Sequence, residues 1–267
     1  MRFLKLEDEN VVVFGVSNRK SVGFATTEIL VEEGAHVHWV VHSKERQREL
    51  ERFVGPEGPR AIHVCDVELP GAVDDLAKAL PDQILGVVHA VAFANYRDGA
   101  KPFHETSRDD FGQAIQISCH SLVEIARALR NRFKSGASVV TVSISTTRMA
   151  AQNYGYMAPV KAALESSVVF LAKSFADIDV RFNAVCPSLL KTRSAAGIPG
   201  YAESYLYAEQ LTLRKRGVLV KEVADAIAFL LSPRSSGINA QNVVVDAGMS
   251  VNFFDAEVIS AALRGFS

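Results

Sequence analysis

Short, near-continuous runs of Val, Ile and Ala alternate along this chain with longer stretches in which apolar residues recur every three or four positions. The runs at 10–14, 36–41, 61–65, 84–90, 138–143, 180–185 and 242–245 predict strands buried on both faces, as parallel strands between helical layers are. The stretches at 21–33, 43–53, 73–80, 109–133, 154–175 and 221–231 predict amphipathic helices, bounded by Gly, Pro and capping residues. Strand–helix alternation of this kind predicts an α/β fold, a doubly wound parallel sheet in a single domain spanning 1–267. Residues 189–216 interrupt the pattern. Their mixture of small and aromatic residues predicts a lid-like insertion over a binding site.

In an open parallel sheet the ligand crevice lies at the carboxyl ends of the strands. Gly15, Asp66, residues 89–92, Ser143 and Pro187 all fall there. The first strand turns through Gly15 toward Ser21 and Val22, the way a chain approaches a pyrophosphate at a helix N-terminus. Asp66 follows the third strand, at a position that suits a helix N-cap. The second strand runs into His42-Ser43-Lys44 without an acidic residue for a free ribose 2′-hydroxyl. Lys44 and Arg46 suit a 2′-phosphate instead, which favours NADPH over NADH.

Tyr154 and Lys161 lie seven residues apart, two helical turns, so both face one side of a helix. A phenol beside an ammonium group is a proton donor near neutral pH, because the positive charge favours the phenolate.

Composition narrows the function. A formal net charge of −1 offers no bulk attraction to nucleic acid or an anionic membrane, and 48% hydrophobic residues suffice for a globular core. Cys65, Cys119 and Cys186 lack metal-ligand spacing and read as reduced thiols of a cytoplasmic protein; no metal is expected. No run approaches the roughly 20 apolar residues of a membrane span.

These motifs, in this order, resemble the enoyl-acyl-carrier-protein reductases, a branch of the short-chain dehydrogenase/reductase family. The likeness rests on Gly15-Val16-Ser17 with Lys20-Ser21-Val22, Cys65-Asp66-Val67, the run from His89 to Ala94, Tyr154 with Lys161, Ala195-Ala196-Gly197-Ile198, and Val245-Asp246-Ala247-Gly248. Most of the wider family separates tyrosine and lysine by three residues, and here that nearer position is Met157. A chemical reason fits the longer spacing. In conjugate reduction hydride reaches the β-carbon, and negative charge appears on an oxygen three bonds away, so the stabilising group stands farther from the nicotinamide.

The resemblance implies reduction of the C=C bond of a trans-2-enoyl thioester by NADPH or NADH. Tyr154 and Lys161 are then catalytic. The cofactor falls to Gly15, Ser21, Val22, His42, Lys44, Asp66, Val67, Ala90, Ala92, Lys161 and Thr192. Phe93, Ile144, Tyr156, Leu189 and Tyr201 fall to the substrate, an acyl thioester carried by an acyl carrier protein. It also implies a homotetramer packed through residues 221–250. Two features depart from the family: Ile144 replaces a second tyrosine, and Pro159 lies inside the expected helix. They leave open a ketone or secondary-metabolite enoyl substrate, or a dinucleotide sensor without turnover.

Overall fold

The computed structural model describes residues 2–263 apart from 53, 55–57, 98, 100 and 152–154. Seven parallel strands form one sheet in the order β3-β2-β1-β4-β5-β6-β7. They are β1 (Asn10–Phe14), β2 (His36–Val41), β3 (Ala61–Val64), β4 (Ile84–His89), β5 (Phe133–Val142), β6 (Arg181–Pro187) and β7 (Asn242–Val245). Side chains alternate across the pleat. Val11 and Val13 join Trp39 and Val41 beneath helices α1 (Val22–Glu32), α2 (Lys44–Glu51) and α8 (Val220–Leu231). Val12 and Phe14 face the other way, into a core with α3 (Ala72–Ala79), α4 (Arg108–Ile115), α5 (Ser121–Leu129) and α6 (Met157–Ser174). All three cysteines are buried free thiols, and burial pushes Cys65 up to about 11 and Cys186 up to about 12.

Strand order reverses between β1 and β4, which opens the crevice there. Gly15 makes this approach possible. Its φ is +88°, and a Cβ at this position would lie 2.1 Å from the Ala90 carbonyl oxygen.

The expected elements all appear, with three differences. The stretch 109–133 is two helices joined by a π turn, Gln116–His120, then a 3-10 turn, Arg130–Arg132, with Phe133 already the first residue of β5. The insertion at 189–216 carries its own helix, α7 (Tyr201–Leu211). A short helix, α9 (Ala256–Leu263), follows the last strand.

Helix α6 also departs from the expected 154–175: it starts at Met157, with Tyr156 as its cap residue, so position 154 precedes the helix and the seven-residue spacing to Lys161 is not two turns of it. Pro159 is therefore the third helical residue, where the amide it lacks has no intrahelical partner in any case. The kink that this proline threatened does not arise.

Candidate functional site

A cavity of about 1170 Å³ opens at the carboxyl ends of β1 and β2. Its walls come from the β1–α1 turn (Ser17, Asn18, Arg19, Lys20), from α2 (Arg46, Glu49), from the segment leading into α7 (Lys191, Thr192, Arg193) and from α7 itself (Tyr201, Tyr205). Six cationic side chains line it, Arg52 among them, against Glu49 and Glu203. That excess favours a polyanion.

Arg46 donates from Nη1 to the Ser17 carbonyl at 3.2 Å and pairs with Glu49. Its Nε is buried and has no hydrogen-bond partner among the described residues. A buried donor left unmatched in a cationic wall suits a phosphate-bearing ligand. The residues present therefore fit a dinucleotide.

Of the cofactor residues expected from the sequence, Thr192 lines this cavity, and its hydroxyl accepts from the Ala195 amide at 3.2 Å. Ser21 caps α1, accepting from the Phe24 amide at 3.3 Å and donating to the Asn18 carbonyl at 2.7 Å. Val22 is buried beneath it. His42 and Lys44 are exposed, and Arg46 rather than Lys44 reaches the wall. Asp66 accepts from the Glu68 amide at 3.1 Å, and helix α3 is capped by Gly71. Val67 packs against the core while Ala90 and Ala92 lie beyond the end of β4.

A second cluster surrounds Lys161. The side chain is 4% exposed, and its Nζ donates to the Val142 carbonyl at 2.7 Å and the Val91 carbonyl at 3.4 Å. Burial lowers this ammonium to about 8, opposed by Cys119, Cys186 and Glu165. His89 is fully buried between Thr141 (2.8 Å) and Ser121 (2.9 Å), and burial lowers it to about 3. It is a neutral structural group.

Tyr154 lies outside the described residues. Tyr156, assigned to the substrate from the sequence, is 6% exposed; its hydroxyl accepts from the Asn95 amide at 2.9 Å, and its ring packs edge-on against Phe111. Phe93 is exposed, whereas Ile144 and Leu189 are half-buried. Tyr201 clasps the segment before α7, accepting from the Leu190 amide at 2.8 Å and donating to the Leu190 carbonyl at 3.0 Å. Its phenol is pushed up to about 12 by burial.

Sequence reasoning missed Glu165. Its carboxylate accepts from Ser143 at 2.7 Å and Thr147 at 3.3 Å, with the Cys186 thiol at 3.7 Å. A lone glutamate on a helix gives no sequence signal of such a set of partners.

The sheet, the Gly15 turn and the cationic cavity beside it at the ends of β1 and β2 define a nucleotide-binding protein of the doubly wound class. The model of the enoyl-(acyl carrier protein) reductase family matches residues 15–250, and the chain belongs to that family. It is 32% identical to the enoyl-acyl-carrier-protein reductase (NADPH) FabI of Staphylococcus aureus, over 92% of this chain and 98% of the relative. It is 30% identical to the corresponding (NADH) FabI of Bacillus subtilis, over 92% and 97%. Among solved structures, FabI from Candidatus Liberibacter asiaticus superposes with a TM-score of 0.90 at 26% identity, covering 96% of this chain and 100% of that one.

Proposed function

We propose that this chain reduces the C=C bond of a trans-2-enoyl thioester. It is an NAD(P)H-dependent oxidoreductase of the enoyl-acyl-carrier-protein reductase type, a class that serves fatty acid synthesis. The observation that carries the reading is the family match over residues 15–250, joined to a buried Lys161 ammonium at the ends of β4 and β5.

When bound, the nicotinamide would supply a hydride to the β-carbon, with a proton from solvent completing the reduction at the α-carbon. The chain's own residues do the rest. The cationic wall takes the phosphates, and Lys161 turns from backbone carbonyls to the nicotinamide ribose hydroxyls. Tyr154, seven residues ahead of Lys161 in sequence, donates a hydrogen bond to the thioester oxygen as that oxygen becomes negative. Arg46 takes a ribose 2′-phosphate, so NADPH is the preferred cofactor.

Phe93, Ile144, Leu189 and Tyr201 border the acyl chain. Tyr156 acts differently from the role its sequence position suggested: its hydroxyl is already committed to Asn95, so it shapes the pocket from behind. The acyl group arrives on a carrier protein. Of the basic run near α7, Arg214 is spent on Glu222, Lys215 on Asp255, and Arg216 reaches Glu222 at 4.0 Å, which leaves the exposed Arg193 as the better contact for an acidic carrier.

Copies assemble as a homotetramer through α8 and β7, an edge strand, where Leu219, Phe229 and Val244 remain exposed. A mass measurement in solution near four chains is the expected result. No helix among the described residues is long and apolar enough to cross a membrane.

Oxidation of NADPH and NADH with a crotonyl thioester, a 3-ketoacyl thioester and no acceptor tests the reaction. Turnover with the crotonyl substrate, faster with NADPH, is expected. Turnover with the ketoacyl substrate alone refutes the reading.

A further inference from the structure

Lys161 and Glu165 are one turn apart on α6, and they grip consecutive residues at the end of β5. The lysine holds the Val142 carbonyl, and the glutamate holds the Ser143 hydroxyl. The next residue is Ile144, and three positions further Thr147 donates to the same carboxylate. The Cys186 thiol reaches it from β6, so Glu165 ties two strand ends and the 144–147 turn to the helix that carries Lys161.

The other groups facing Lys161 are neutral. Cys119, on the π turn, is raised by burial, and Cys186 is pushed up to about 12, so both remain thiols at working pH. His89, at the end of β4, is held uncharged by burial and by Lys161 itself. Glu165, one turn along α6 and bonded to the residue next to the Val142 carbonyl that holds the lysine, is the carboxylate that acts on the buried ammonium. We propose that Glu165 is the positioning residue of this site: its carboxylate fixes the turn bearing Ile144 and supplies the counter-charge that keeps Lys161 protonated at the cofactor. The inference rests on the reading of Lys161 as the ribose ligand.

The physical basis is the cost of isolating a charge. A buried ammonium whose counter-charge is removed releases its proton more readily. Glu165→Gln keeps the size and most of the hydrogen bonding while deleting the charge. NADPH affinity, followed by nicotinamide fluorescence from pH 6 to 9.5, is expected to weaken in the wild-type protein as pH passes about 8. In E165Q the midpoint is expected about one pH unit lower. Glu165→Asp and Ser143→Ala keep the charge and are expected to keep the wild-type midpoint, although S143A loosens the 144–147 turn and raises KM.

Equal midpoints in E165Q and wild type overturn the proposal, as does an affinity that ignores pH in the wild type. If E165Q does not fold, a lowered midpoint in E165D or S143A overturns it equally. Turnover with a crotonyl thioester is measured alongside. A wild-type protein that shows the binding midpoint but reduces no enoyl substrate sinks the reaction assigned above and leaves the role of Glu165 standing.

Discussion

At the scale of single residues, the contacts that hold a described group near the crevice set what its substitution does. Lys161→Ala removes the buried ammonium, and kcat/KM for the enoyl thioester is expected to fall on the order of 100-fold or more. Tyr154→Phe deletes the hydrogen bond to the developing oxyanion and is expected to cost a similar factor in kcat, with little change in NADPH affinity. Tyr156→Phe is the informative contrast. It loses the hydrogen bond to the Asn95 amide, so it is expected to cost about 1 kcal/mol of stability, read by urea unfolding, while turnover stays within a few fold. A large kcat loss in Tyr156→Phe would exchange the roles assigned to the two tyrosines.

These residues also mark the limit of what sequence reveals. Gly15 was legible because a strand running into glycine and then a cap has few other uses. The spacing from a tyrosine singled out Lys161, and the structure buries it, while position 154 lies outside the described residues. Glu165 and Arg46 were harder to read, since a charged residue on a helix looks solvated until its depth is known. Lys44 and Arg46 are two positions apart on α2, and only the helix's rotation decides which one meets the cavity.

At the scale of elements, the strands were easy to find because Val-rich runs buried on both faces leave little ambiguity. The helix of the insertion was not. Its sequence mixes Tyr, Ala and Glu without a strong apolar stripe, and it follows a Pro-Gly pair that reads as a loop. The π turn at Gln116–His120 was equally hidden, because one extra residue per turn shifts the period without breaking it. That shift aims Ser118 and Ser121 at the end of β4, where they bond the Phe93 backbone and His89.

One strand residue does work its position does not suggest. Arg181, at the start of β6, is buried. It donates to the carbonyls of Leu230 and Ser232 at the end of α8 and of Ser235 and Ile238 beyond it, at 2.8 to 3.3 Å. Lysine keeps the charge but not the forked geometry. Arg181→Lys is expected to cost about 2 kcal/mol in urea unfolding and to leave the affinity for NADPH unchanged.

At the scale of the whole molecule, buried histidines set the response to acid. His89 is lowered to about 3 and His38 to about 4, each chiefly by burial. Below their ordinary value near 6.5, the unfolded chain binds protons that the folded chain refuses, so stability falls as pH drops. The loss begins near 6.5 and continues toward 4 and 3. A urea midpoint that declines steadily from pH 7 to pH 5 is the expected outcome, and a flat profile would contradict the burial of these rings.

The concealed sulfhydryls carry a practical consequence. With all three thiols withdrawn from solvent, and Cys65 and Cys186 reluctant to ionise, an alkylating reagent must wait for the chain to open before it reacts. Modification kinetics thus become a clock for breathing of the strands and the π turn that hold them, and a ligand filling the crevice slows that clock by the amount it tightens the fold.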